Sequence, residues 1–306
     1  MAEIALLNHY LRLFEPFFKR KDVSDIVVNE PGMIWLDTNT GWEQIKTKAV
    51  KESLTQRKIN SFVETLATSQ GQKFSAEHPV LATTIPKHGF RIHAVRDTVA
   101  IKGTSLSIRV SAAKRFELKD YIDSQDDIEF LMSALETGQT IIVVGGTSSG
   151  KTTLLNTMTR YIPTSKRIIT VEDAPELIVD QPNVVSLVKS KSGTDIGQST
   201  YKEINDSIVR MRPDRIIWGE LDIANSYPFL RIINTGHAGS MATLHANSPA
   251  LAVDALVMNV QMSGISGAKE IIQEYVKKAV NIIVFIQRHS RTEYEAKVTK
   301  ISEVNF

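Results

Sequence analysis

Apolar positions change their spacing near the middle of the chain. Up to residue 110, short alternating runs predict strands, and helix-type spacing predicts two amphipathic helices. The predicted helices cover residues 6–18 and 54–69, and the predicted strands cover residues 24–28, 33–36, 82–85, 90–94 and 104–110. This order of elements indicates a small α+β domain over residues 1–110.

From residue 128 onward, continuous apolar runs alternate with helical stretches. The runs lie at residues 141–144, 168–171, 216–218, 241–244 and 282–286, and helices are predicted at 152–160, 250–262 and 268–280. Strands that are apolar on both faces are typical of a parallel sheet covered by helices. We therefore expect an α/β domain over residues 128–306, joined to the first domain by a polar linker at residues 111–127.

Composition narrows the class of protein. The 306 residues are 42% hydrophobic and 23% charged, which favours two folded domains over disorder. No apolar run approaches the ~20 residues that span a bilayer, and no cationic signal segment follows Met1, so we expect a cytoplasmic or peripheral membrane protein. The absence of cysteine excludes disulfides and cysteine-based zinc sites. A net charge of +2 gives no general attraction to nucleic acid, and no sequence-specific binding to it is expected.

A glycine-rich loop connects the predicted strand 141–144 to a predicted helix. It consists of Gly145, Gly146, Thr147, Ser148, Ser149, Gly150, Lys151 and Thr152, with Thr153 following. The first eight residues match G-x-x-x-x-G-K-[ST], in which backbone N–H groups surround the phosphates of a nucleotide. Lys151 would reach the β- and γ-phosphates, and the hydroxyl of Thr152 would complete the shell of a Mg²⁺ ion. The alternative is a glycine- and serine-rich turn without a ligand.

Two further predicted strands end in carboxylates. Glu172 follows the run at 168–171, and Glu220 follows the run at 216–218. The carboxyl ends of parallel strands share one edge of a sheet, so both side chains are candidates for Mg²⁺ and for the attacking water. We interpret Glu220 as the water-positioning base and Glu172 as its partner. An acidic helix start or a surface loop is the alternative for each.

Two histidines, His237 and His245, flank the run at 241–244. Either imidazole could donate to a γ-phosphate oxygen or respond to its loss after hydrolysis. Their spacing is poor for zinc, and a purely structural role is the alternative for each. Arg91, Arg109 and Arg210 are candidates to neutralise charge in the transition state, with surface salt bridges as the alternative.

These motifs, in this order, resemble those of the traffic ATPases of bacterial type II and type IV secretion. The resemblance rests on a Walker A motif at 145–152, an acidic box at 171–173, a Walker B region at 210–221 and a histidine box at 234–249. Residues 27–32 and 107–109 are also similar to the type IV, conjugation-associated branch, and the lack of a four-cysteine module favours it. Asp222 and Ile223 depart from the arginine and glycine that the family commonly has at these positions.

The resemblance implies a RecA-like ATPase domain, preceded by a smaller N-terminal domain, in a hexameric ring. ATP and Mg²⁺ would bind at the interdomain cleft, with Arg91 and Arg109 approaching from the N-terminal domain. The ring would sit on the cytoplasmic face of the inner membrane with channel and coupling ATPase components. Hydrolysis would energise pilus assembly and the export of protein or DNA.

Two other functions remain open from the sequence. A nucleic-acid translocase or helicase could use the same core, although no basic, aromatic groove is singled out. A nucleotide-gated scaffold with little turnover is the other alternative, because Asp222 replaces a basic residue of the family.

Overall fold

The computed structural model describes residues 2–86, 88–110, 116–173, 175–189, 199–265, 267–290 and 293–304. Contacts between residues divide the chain into two compact units. Of the described residues, those up to 110 belong to the first unit and those from 116 onward to the second. None of the helices within these ranges combines the length and the apolar character that crossing a bilayer requires.

The first unit is an antiparallel sheet with helices on one face. Its helices are α1 (Ala2–Leu11), α2 (Glu15–Phe18), α3 (Lys48–Ser53) and α4 (Gln56–Ser69). Its strands are β1 (Val23–Val28), β2 (Ile34–Thr38), β3 (Gly41–Ile45), β4 (Val80–Ile85), β5 (Phe90–Val95) and β6 (Ser105–Arg109). They lie in the order β3-β2-β1-β6-β5-β4, and every neighbouring pair is antiparallel.

Alternation along these strands buries one face of the first sheet. Ile26, Leu36 and Ile108 point into a core that the apolar sides of α1 and α4 complete. The predicted helix over 6–18 is two helices, because α2 begins anew with a proline in its first turn. The short strand β3 and helix α3 were not predicted.

The second unit contains a larger sheet with helices on both faces. Its helices are α5 (Gln125–Thr137), α6 (Lys151–Thr159), α7 (Tyr201–Arg210), α8 (Ser226–Ile233), α9 (Pro249–Met262) and α10 (Lys269–Ala279). Its strands are β7 (Ile141–Gly145), β8 (Ile168–Glu172), β9 (Val184–Val188), β10 (Arg215–Leu221), β11 (Met241–His245), β12 (Ile282–Arg288) and β13 (Tyr294–Lys300).

Parallel pairing dominates this second sheet. The order is β13-β12-β7-β11-β10-β8-β9, and among these described strands β12 with β13 is the one antiparallel pair. Two apolar cores cover its two faces, so β7, β8 and β11 are buried at successive positions and are mainly apolar. All five strands predicted for this region occur, and the carboxyl ends of β7, β8, β10 and β11 meet at one edge.

Part of the stretch predicted as a polar linker is buried. Residues 111–115 lie outside the described ranges, whereas Leu118, Tyr121 and Ile122 are buried in the second unit. Helix α5 begins at Gln125, with Ser124 capping its first turn. Three apolar side chains therefore draw this stretch into the core, and the domain boundaries stay a prediction.

Candidate active site

The loop after β7 has a backbone that depends on its glycines. Strand β7 is buried along its length and ends at Gly145, where an added Cβ would meet the carbonyl oxygen of Ile286. Ser148 and Gly150 have positive φ values of 58° and 95°, and Gly150 precedes the first residue of α6. Such a turn directs the N-terminal N–H groups of α6 toward the concave side of the loop, where an anion can bind.

Lys151 is buried inside this loop. Its Nζ donates to the carbonyl oxygens of Gly145 at 3.0 Å and Gly146 at 2.6 Å. The same atom lies 3.2 Å from His245 Nδ1. Burial lowers the pKa of Lys151 to about 8, although the charge of Glu220 opposes the shift. A polyanion in the loop would therefore stabilise the protonated lysine.

Glu220 and His245 contact each other at the ends of neighbouring parallel strands. Glu220 lies near the end of β10, His245 is the last residue of β11, and Glu220 Oε1 is 3.0 Å from His245 Nε2. A protonated Lys151 can only donate, so a neutral imidazole in this arrangement carries its proton on Nε2, facing the carboxylate. Lys151, His245 and Glu220 thus form a continuous polar chain that begins inside the loop.

Glu172 is held differently from Glu220. It is 5% exposed at the end of β8, and its Oε1 accepts from the N–H groups of Glu176 at 2.8 Å and Leu177 at 2.6 Å. Burial raises its pKa to about 7 despite these two hydrogen bonds. An added Cβ on Gly219 would lie 3.3 Å from Glu172 Cγ, so this carboxyl group sits beside the residue preceding Glu220. One of its oxygens fixes the following loop.

The oxygen donors at this edge suit Mg²⁺. Thr152 is half-buried in the first turn of α6, and the carboxylates of Glu220 and Glu172 lie on strands of the same edge. Throughout the described residues, no three histidine, cysteine, aspartate or glutamate side chains converge on a metal position. A hard ion with few protein oxygens must complete its shell from bound phosphates and water, which is how Mg²⁺ usually binds.

His237 is not brought to this edge within the chain. It precedes β11, whereas His245 ends that strand opposite Gly145. Its Nδ1 lies 3.3 Å from the carbonyl oxygen of Ile232. A histidine before a parallel strand lies at the amino edge of the sheet, so the structure separates the two imidazoles that the sequence analysis paired.

The three candidate arginines lie on two different units. Arg91 and Arg109 are cross-strand neighbours on β5 and β6 of the first unit. Arg109 Nε lies 3.2 Å from Asp25 Oδ1. Arg210 is an exposed residue in the last turn of α7 in the second unit. Their action on a nucleotide stays a prediction.

Asp222 has a local structural role. Its Oδ1 accepts from the N–H groups of Ala224 at 2.9 Å and Asn225 at 3.2 Å. The amide of Asn225 in turn donates to the carbonyl oxygen of Glu220 at 2.9 Å. An aspartate at this position therefore holds the turn that follows Glu220.

The sequence did not predict the side chains that lie on the side of the loop away from Glu220. Tyr294 and Arg288, from the antiparallel hairpin of β12 and β13, lie close to Gly150 and Ser148, respectively. The hairpin begins about 130 residues after the loop in the printed sequence, and its pairing is the one antiparallel contact among the described strands of this sheet. An aromatic residue at the first position of an amphipathic edge strand was the available signal.

Comparison with known proteins identifies the family. Residues 12–297 match the model of the family described as type II/IV secretion system protein. The type IV secretion system protein VirB11 of Bartonella henselae is 30% identical over 337 aligned positions, covering 97% of this chain and 93% of that protein.

Solved structures agree with this result. The VirB11 ATPase of the Brucella suis type IV secretion system, in complex with sulphate, has 26% identity and a TM-score of 0.51, covering 98% of this chain and 95% of that one. The ATPase DotB of Legionella pneumophila, at 16% identity and a TM-score of 0.67, covers 95% and 80% and shows the same fold. The predicted fold class, a RecA-like parallel sheet preceded by a smaller α+β domain, is confirmed. The chain therefore belongs to the type II/IV secretion system protein family, which places it among the secretion ATPases.

Proposed function

We propose that this protein hydrolyses ATP with Mg²⁺ and that hydrolysis drives a type IV secretion system. The observation that carries the proposal is the polar chain from Lys151 through His245 to Glu220 at the mouth of a phosphate-binding loop. The relation to VirB11 proteins, one of them solved with the phosphate-like anion sulphate, supports the same assignment. No other described part of the chain brings a loop of this type together with a hydrolytic carboxylate.

Binding of ATP would change the partners of Lys151. Its ammonium group now donates to two loop carbonyls and to His245, all of which a phosphate oxygen can replace. The β- and γ-phosphates would replace these partners around Nζ, and backbone N–H groups from 146–152 would bind the remaining oxygens. The positive charge would then lie where negative charge concentrates during transfer.

Glu220 would position and activate water. Its side chain is 30% exposed, so solvent water can reach the carboxylate. Once Lys151 turns to the phosphates, His245 Nδ1 loses its donor and the ring can reorient toward the γ-phosphate. His245 would thus link the water-positioning carboxylate to the state of the nucleotide.

Thr152 and the two glutamates would hold Mg²⁺ together with the phosphates. The ion would supply charge neutralisation between the β- and γ-phosphates. We assign Thr152 and Glu220 to direct or water-mediated binding. Glu172, with one oxygen bound to the backbone and a pKa near 7, would act mainly by supporting Glu220 from the adjacent strand.

We further propose that six copies form a ring on the cytoplasmic face of the inner membrane. Arg91 and Arg109, adjacent on the first unit, would complete the nucleotide site. The ring would act with channel and coupling ATPase components in pilus assembly and in the export of protein or DNA. The proposal of a ring rests on membership of the family and on the resemblance of the motifs.

Phosphate release by purified protein tests the central claim. Lys151→Ala should lose ATP binding, because the loop then lacks its ammonium group. Glu220→Gln should bind ATP and lose turnover, since an amide cannot accept the proton of water. Lys269→Ala is the matched control, because its Nζ pairs with Asp254 on the surface at 3.0 Å, and it should release phosphate like the wild type.

Equal rates in wild type, Lys151→Ala and Glu220→Gln would refute hydrolysis at this loop. Retained turnover in Glu220→Gln alone would reassign the base to Glu172. Tight binding of ATP by a wild type that releases no phosphate would support the nucleotide-gated scaffold instead. Turnover that requires single-stranded DNA would support the translocase.

A further inference from the structure

An aromatic cluster stands on the side of the phosphate loop away from Glu220. The ring centroids of Phe116 and Tyr294 are 5.8 Å apart, and those of Tyr121 and Tyr294 are 5.9 Å apart. The guanidinium carbon of Arg288 lies 5.7 Å from the centre of the Tyr294 ring. Tyr121 is buried, whereas Phe116 and Tyr294 are half-buried and Arg288 is exposed. The cluster is therefore anchored on its inner side and reaches the surface on its outer side.

This cluster is attached directly to the loop. A Cβ added to Gly150 would lie 3.0 Å from Tyr294 Cε1, so the tyrosine ring packs against the last glycine before Lys151. The Nη1 of Arg288 lies 3.5 Å from the carbonyl oxygen of Ser148. Both side chains thus lie beside the backbone that would bind phosphates.

Strand order indicates which part of a nucleotide would reach this cluster. Strand β7 leads into the loop, with β11 and β10 on one side and β12 and β13 on the other. Glu220 lies on the first side and Tyr294 on the second. Because the γ-phosphate must lie near the water that Glu220 positions, the opposite end of the molecule points toward β12 and β13. That end carries the nucleoside.

We infer that Tyr294 and Arg288 form a stacking site for the base of a purine nucleoside triphosphate. The inference rests on the proposed function and adds the residues that select the nucleoside part of the substrate. A flat π-system suits an aromatic ring and a guanidinium plane, both of which bind bases by stacking. Phe116 supports the ring of Tyr294 from its edge, with an interplanar angle of 77°.

Stacking predicts a preference that phosphate contacts alone cannot give. A purine offers a larger face than a pyrimidine, so ATP should bind more tightly than CTP. Inorganic tripolyphosphate, which has no base, should bind through the loop alone. Removal of the aromatic face should therefore weaken ATP and leave tripolyphosphate unchanged.

The test measures dissociation constants of full-length protein by calorimetry with Mg²⁺ and either ATP, CTP or tripolyphosphate. In Tyr294→Ala, ATP should bind about tenfold more weakly, within the range measured for loss of one stacked base. The same variant should bind tripolyphosphate like the wild type. Tyr294→Phe should keep the affinity for ATP, because it keeps the ring. Arg288→Ala should weaken ATP and not tripolyphosphate.

Each result separates stacking from support of the loop. Equal weakening of ATP and tripolyphosphate in both Tyr294→Ala and Tyr294→Phe would show that the side chain only supports the loop, and would overturn the inference. Unchanged affinity for ATP in Tyr294→Ala would overturn it too, provided that circular dichroism shows the native fold. If the wild type binds neither ATP nor tripolyphosphate, the proposed function itself has failed. If it binds both equally and does not distinguish ATP from CTP, only the base site has failed.

Discussion

Replacing His245 with alanine tests the polar chain at its centre. The imidazole joins Lys151 Nζ at 3.2 Å to Glu220 Oε1 at 3.0 Å, so its loss disconnects the Glu220 carboxylate from the loop. Removal of one positioned polar group in an active site commonly costs about 10²–10³ in kcat, or about 3–4 kcal/mol. The side chain is 47% exposed, so its contact with Glu220 should contribute no more than about 1 kcal/mol to the free energy of unfolding. We therefore expect a large loss of turnover in a protein of nearly unchanged stability.

Steady-state phosphate release, ATP affinity and urea unfolding of His245→Ala measure these three quantities. His237→Ala is the matched control, because it removes the same side chain from the opposite end of β11, where its Nδ1 contacts the carbonyl oxygen of Ile232. Its phosphate release should stay near that of the wild type. The reasoning is wrong if both variants lose turnover equally, or if His245→Ala keeps the wild-type kcat. Loss of ATP affinity instead of kcat would limit His245 to ground-state binding.

Three further predictions follow from buried or strained positions. Burial raises the pKa of Glu172 from 4.5 to about 7, so between these pH values the folded protein keeps a proton that the unfolded chain loses. The free energy of unfolding should therefore fall by about 3 kcal/mol as pH rises from 4.5 to 7. In Glu172→Gln, thermal unfolding measured across this range without nucleotide should lose that slope, and an unchanged slope would contradict the assignment. Asp222→Ala should lower the free energy of urea unfolding by about 1 kcal/mol, whereas Asp222→Asn should match the wild type, because an amide oxygen also accepts the two N–H bonds. Gly150→Ala should weaken ATP binding in calorimetry, because φ is 95° and Tyr294 lies where the new Cβ would go. Gly264→Ala is the control: its φ is 88°, its surroundings are open, and ATP binding should not change.

Much of the second unit could be predicted because its strands are buried on both faces. Such strands leave mainly apolar runs without polar alternation, which is how β7, β8 and β11 were found. Edge strands leave weaker signals: β13 alternates apolar with polar residues, β9 is partly exposed along its whole length, and both were missed. Helix α7 was also missed, although Thr200 and Glu203 form a capping box that marks its start.

The candidate site could be predicted in part for a geometric reason. Parallel strands share their carboxyl edge, so a residue ending β10 or β11 must lie near the loop that follows β7, and Glu220 and His245 do. The same rule places His237, which precedes its strand, at the opposite edge of the sheet. Periodicity cannot show which groups a carboxylate will bind. Glu172 accepts hydrogen bonds from two backbone N–H groups, and their positions depend on the path of the following loop. The position of Tyr294 beside the loop depends on the pairing of β13 with β12, which the sequence of β13 does not specify.

Two hydrogen bonds at the amino edge of the sheet connect the start of β10 to the turn before β11. At the amino end of β10, the buried guanidinium of Arg215 donates to the carbonyl oxygen of Ala238 at 3.2 Å. Ser240 Oγ accepts from the N–H that follows Arg215 at 3.3 Å. These two bonds tie the start of β10 to the turn that begins β11, so the two strands cannot slide past each other independently. Because Glu220 and His245 lie at the other ends of these same two strands, the bonds at the amino edge help to fix the register on which their 3.0 Å contact depends.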